Sequence, residues 1–145
     1  MSENDTVKLL RECDTGVRMA IAAIDDVIDK TGNEALRHLL TQSRREHDSL
    51  GAEIGQQLSQ SGAQNKNTLQ TAKLMSQLKS GIKIGMSAQT DRAIAEFVTD
   101  GCNMGIKTLC RGMNQFKNAG SGAKQACGRL VNLEDKLSSD LRIYL

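Results

Sequence analysis

The sequence predicts an all-α protein, an antiparallel four-helix bundle with a helical insertion between its second and third helices. Three observations carry that expectation. The chain has no proline and no tryptophan, one tyrosine and two phenylalanines, and helices tolerate straight-chain residues where strands collect aromatic and β-branched ones. Apolar residues recur every three or four positions over four long stretches, the signature of helices with one buried face. Polar, glycine-bearing breaks separate the members of each pair, and breaks that short force antiparallel hairpins. With 145 residues, the chain is read as one domain, 1–145, around a single core.

The first helix begins with Asp5 or Thr6 as its N-cap and carries Val7, Leu10, Val17, Ile21, Ile24 and Ile28 on one stripe. Lys30-Thr31-Gly32-Asn33 stops it, with Gly32 suited to a left-handed C-cap and Asn33 placed to cap the next helix. The second helix runs from about Glu34 to Ser61 on Leu36, Leu40, Ser43, His47, Leu50, Ile54 and Leu58. After a polar loop, a shorter helical stretch from Leu69 to about Met86 forms the insertion. Ser87, Thr90 or Asp91 caps the third helix, whose stripe includes Ile94, Val98, Cys102, Gly105, Leu109 and Phe116. Asn118 to Gly122 breaks the chain again. The last helix runs from about Ala123 on Cys127, Leu130, Glu134, Leu137, Leu141 and Tyr144.

The net charge of +2 is small but uneven. Residues 1–63 hold eleven acids and seven bases, whereas 65–90 hold Lys66, Lys73, Lys79 and Lys83 and no acid. That basic block, with Lys79 and Lys83 at its centre, is a candidate surface for an anionic partner. The near absence of aromatic side chains argues against single-stranded nucleic acid, which is held by base stacking. The acidic N-terminus lacks the order of a secretory signal and no run nears the roughly 20 apolar residues of a membrane span, so a cytoplasmic protein is expected. Cys13, Cys102, Cys110 and Cys127 form no CxxC pair and are read mostly as small buried hydrophobes. No nucleophile triad, phosphate loop or HExxH motif is present.

Each core stripe is interrupted near its middle by one metal-ligating residue type: Asp14, His47, Cys102 and Glu134. Unpaired buried polar groups cost about 1–3 kcal/mol each, so these residues must be paired, hydrated, protonated or metal-bound. Asp14 and His47 stand 17 and 16 residues from Thr31, level within about 2 Å if the hairpin turns there. Cys102 and Glu134 stand 18 and 14 residues from Gly120, a mismatch of about 6 Å. Asp14 with His47 is therefore the stronger candidate pair.

Four segments, LLRECDTGVRMAI, LRHLLTQSRREHDSLGAEI, DRAIAEFVTDGCNMGIKTL and RLVNLEDKLSSDLR, give the chain a resemblance to the ferritin-like superfamily, and within it to a bacterial family of small ferritin-like proteins. The resemblance implies a di-metal motif built from a Glu on each of two helices and Glu-x-x-His on each of the others. Asp14 or Glu12 stands for the first acid and His47 for the second helix's histidine. The pattern departs elsewhere: Arg44 stands where the Glu before His47 belongs, Cys102 replaces the third helix's acid, and Val131 and Glu134 replace the Glu and His of the fourth.

A complete di-iron centre, and the ferroxidase or oxygenase chemistry that needs one, is therefore not expected. The leading expectation is a non-catalytic bundle with a degenerate metal site that acts through helix-mediated association, as a homodimer. The alternatives are a metal-binding or oxidoreductase protein holding a single iron or zinc ion on Asp14, His47, Glu134 and Cys102, and an anionic-surface binding module.

Overall fold

Four helices form where the apolar periodicity runs. In the structure, a computed structural model that describes residues 4–63 and 90–145, α1 is Asp5–Ile28, α2 is Glu34–Gln60, α3 is Thr90–Gln115 and α4 is Ser121–Asp140. A short 3-10 turn, Leu141–Tyr144, follows α4. There is no strand among the described residues. The expected helical insertion over 69–86, with Lys79 and Lys83, lies outside them.

Side chains define the helix ends. Asn4, one residue earlier than the sequence suggests, caps α1 by accepting from the Val7 N–H at 2.9 Å. Asn33 caps α2 as expected, accepting from the Leu36 N–H at 3.0 Å. Gly32 does not take the left-handed conformation expected of it; among the described residues only Gly62, at φ 73°, has positive φ. The turn is held instead by the Thr31 hydroxyl, which donates to the Val27 carbonyl at 3.0 Å. Asp91, a candidate cap of its own helix, accepts from the Gly32 N–H at 3.1 Å and ties the turn to the start of α3.

Contacts between helices fix their directions. Arg44 reaches Asp25, and Gly51 backs onto Val17, where an added Cβ would lie 2.9 Å from Val17 Cγ1; α2 thus runs antiparallel to α1 at close approach. Gly112 faces Leu9 and Gly16 lies by Leu109, so α3 also opposes α1. The Gly120 N–H bonds to Thr6 Oγ1 and Gly16 lies against Leu130, so α4 runs with α1. The two middle helices are consequently parallel to each other. Gln57 beside Gly122 marks the end of α2 at one end of the bundle, and Asp91 beside Gly32 marks the start of α3 at the other. α2 therefore ends at one end of the bundle and α3 begins at the other.

The core is divided. Val7, Leu10, Cys13, Val17, Leu50, Ile54, Leu58, Leu109, Cys127 and Leu130 belong to one apolar cluster. Ile24, Val27, Leu36, Leu40, Ile94, Val98, Cys102, Leu137 and Leu141 belong to a second. Each large aliphatic side chain removed from water stabilises the bundle by about 1.5–3 kcal/mol. Between the clusters along α2 come Ser43 and His47, and between them along α4 comes Glu134, all buried. A polar layer separates two apolar ones.

Candidate functional site

Within that layer, His47 is wholly buried and Glu134 is 4 % exposed. His47 Nε2 and Glu134 Oε1 lie 3.0 Å apart, and His47 Nδ1 lies 2.8 Å from the carbonyl oxygen of Ser43. A carbonyl oxygen can only accept, so Nδ1 carries a proton and donates it one turn back along α2. The other ring nitrogen then shares one proton with the carboxylate. Burial opposes a charge on His47, but the Glu134 carboxylate and the Ser43 carbonyl outweigh it and hold the imidazole above its ordinary pKa. With one proton between them, the two groups carry no net charge as a pair.

Cys102 on α3 adjoins the pair, with its thiol close enough to Glu134 to feel the carboxylate. Burial, reinforced by that carboxylate, raises the thiol well above its usual pKa. Cys102 is therefore a protonated donor, not a thiolate ligand or nucleophile. The expected 6 Å mismatch between Cys102 and Glu134 does not occur. The second hairpin pivots two residues earlier than Gly120, as the contact of Cys127 with the Leu109 carbonyl also shows.

The register of the first hairpin is also different, with the opposite effect. Val17 against Gly51 and Asp25 against Arg44 both pivot near Glu34, not Thr31, because residues 29–31 continue the climb of α1 before the chain turns. His47 thus faces the level of Ile21, and Asp14 sits about 10 Å away along the axis. The Asp14 carboxylate instead accepts from Arg18 Nε at 3.0 Å; burial raises its pKa, and Arg18 opposes the shift. Among the described residues, no three His, Cys, Asp or Glu side chains are grouped to hold a metal ion. The four-ligand set expected from the sequence does not assemble: His47, Glu134 and Cys102 touch one after another, and Asp14 is engaged elsewhere. Arg44, which stands in the resemblance where a ligand would be, forms a two-pronged pair with Asp25 at 2.6 and 3.1 Å on the surface.

α1 and α3 contribute small residues at this level, beside Cys102 of α3. Gly16 and Ala20 on α1, with Gly101 and Gly105 on α3, line a cavity of about 140 Å³ into which Glu134 and Cys102 also project. Met104, 38 % exposed, and the half-buried Glu12 line it too. Burial raises the pKa of Glu12, and Arg111 opposes the shift. The amino-acid sequence does not announce this cavity, because a stripe of small residues resembles ordinary helix packing. Its one signal is that Gly101 and Gly105 flank Cys102, the polar interruption of the same helix.

No protein family, curated protein or solved structure matches the chain. No helix among the described residues is long and apolar enough to cross a membrane.

Proposed function

We propose that this chain is a non-catalytic helical bundle that binds a small organic molecule in its core, at the cavity beside Glu134. The observation that carries the reading is the cavity itself, bounded by small residues of α1 and α3 and by a carboxylate held in place by a buried histidine. Well-packed interiors leave few voids larger than a water molecule, and apolar cavities of about 150 Å³ admit benzene. A catalytic role finds less support: the Cys102 thiol is kept protonated, and His47 has both ring nitrogens engaged.

The ferritin-like resemblance remains part of the proposal. It is supported by the bundle order, in which α2 and α3 run parallel, and on this reading the level at which such proteins hold metal now holds the His47–Glu134 pair and a ligand cavity. A cytoplasmic setting is supported by four free thiols, Cys13, Cys102, Cys110 and Cys127. Self-association as a dimer has the exposed Ile143 and Leu145 in its favour, and sedimentation at dilute concentration tests it.

Methyl NMR of the methionines during titration with benzene tests the cavity. Saturable shifts at Met19 and Met104, which line it, are the expected result. Methyl resonances unmoved at benzene saturation would remove the proposal.

A further inference from the structure

The polar wall of the cavity specifies more about an occupant than its volume does, provided that the cavity is a ligand site. Glu134 has about four acceptor positions as a carboxylate. Contacts in the structure give it one ring N–H, from His47 at 3.0 Å, and one weak donor, the Cys102 thiol. Acceptor capacity remains on a group that is 4 % exposed. Its second oxygen, Oε2, is directed toward α3, lying 3.9 Å from where a Cβ on Gly105 would stand. A side chain at residue 105 would crowd this approach; glycine leaves it open.

Charge then selects among donors. Glu134 is paired with His47 and Glu12 is opposed by Arg111, so the wall is close to neutral and an ammonium ligand would bring an uncompensated charge into a largely apolar space. An anion would bring the same uncompensated charge, with the carboxylates of Glu12 and Glu134 nearest to it. An uncharged hydroxyl or ring N–H meets neither penalty and supplies the missing donor. The space beyond the carboxylate is bordered by Gly16, Ala20, Ile24, Val98, Leu109 and Leu137, which suits a flat apolar body.

We propose that the cavity takes a compact, uncharged, mostly apolar molecule of phenol size that carries one O–H or N–H donor and gives that donor to Glu134. Phenol, its methyl ether anisole, benzene and benzylammonium are the probes, each titrated into the full-length protein and followed by calorimetry and by the Met19 and Met104 methyl shifts. Phenol should bind about tenfold or more tightly than anisole, because a hydrogen bond to a charged acceptor is worth that much. In a His47→Leu/Glu134→Met double variant, which removes both members of the pair together, the preference of phenol over anisole should vanish while benzene still binds. Equal affinities for phenol and anisole in the wild-type protein would overturn the donor assignment and leave the cavity reading standing. Tighter binding of benzylammonium than of phenol would overturn the choice of an uncharged ligand. Failure of all four probes to bind would overturn the cavity reading and the donor assignment together.

Discussion

His47 Nε2 lies 3.0 Å from Glu134 Oε1, across 87 residues of sequence, in a layer between two apolar clusters. Both side chains are buried. A buried pair of this kind gives little net stability when intact, but losing one member leaves an uncompensated buried charge or donor.

Glu134→Ala and His47→Ala should accordingly each lower the unfolding free energy by about 3–5 kcal/mol. The double variant His47→Leu/Glu134→Met should be far closer to wild type, because it removes both polar groups together. Urea denaturation of the four proteins measures this. Additive losses in the double variant would show that the two residues are not coupled.

Stability should fall as pH rises. The folded pKa of His47 is raised, so its contribution is complete below the unfolded value of about 6.5 and is lost as pH climbs through the folded one. Glu12 and Asp14 are also raised; their contributions are complete below about pH 4 and decline above it. All three have the same sign. The midpoint of thermal unfolding should be higher at pH 5.5 than at pH 9, and His47→Gln should flatten the part of that slope above about pH 6.5. A midpoint that rises across the same range would contradict the raised pKa of His47.

Asn33→Ala should cost about 1 kcal/mol, because the Asn33 side chain satisfies the Leu36 N–H at the start of α2. Asn33→Asp should retain most of that stability, since the aspartate accepts the same bond and favours the positive end of the helix dipole. Chemical denaturation distinguishes the two variants.

Two glycines should respond in opposite ways. A Cβ on Gly101 would meet no atom within 4 Å, so Gly101→Ala should stabilise α3 by roughly 0.5–1 kcal/mol through backbone entropy and, since Gly101 lines the cavity, weaken benzene binding. On Gly51 a Cβ would lie 2.9 Å from Val17 Cγ1, so Gly51→Ala should lower the unfolding midpoint by forcing α1 and α2 apart.

Elemental analysis of protein purified without a metal-chelating tag should find no stoichiometric zinc or iron bound by the described residues. Among the described residues no three conventional ligands are grouped to hold an ion, and Asp14 is turned to Arg18. One zinc per chain that disappears in His47→Gln would restore the ion to the site.

The helices were legible because periodicity and caps are local. Leu36, Leu40, Leu50, Ile54 and Leu58 are all buried, and Asn33 caps where a side chain followed by a helix-forming run should cap. The burial of Asp14, His47, Cys102 and Glu134 was legible for the same reason, since each interrupts an apolar stripe. Their partners were not. Counting residues from a turn assumes where the chain reverses, and an error of three residues at Thr31 moved Asp14 about 10 Å out of the layer.

The sequence by itself determined that this chain makes four long amphipathic helices and that polar residues interrupt their buried faces, because both follow from spacing along one element. Only the tertiary structure decided that His47 meets Glu134, that Cys102 joins them while Asp14 does not, and that small residues of α1 and α3 leave a cavity at that level. Those outcomes depend on the register between helices, which is set by how whole faces interlock and by close approaches such as Gly51 on Val17, and no single helix encodes the height at which its neighbours will pack.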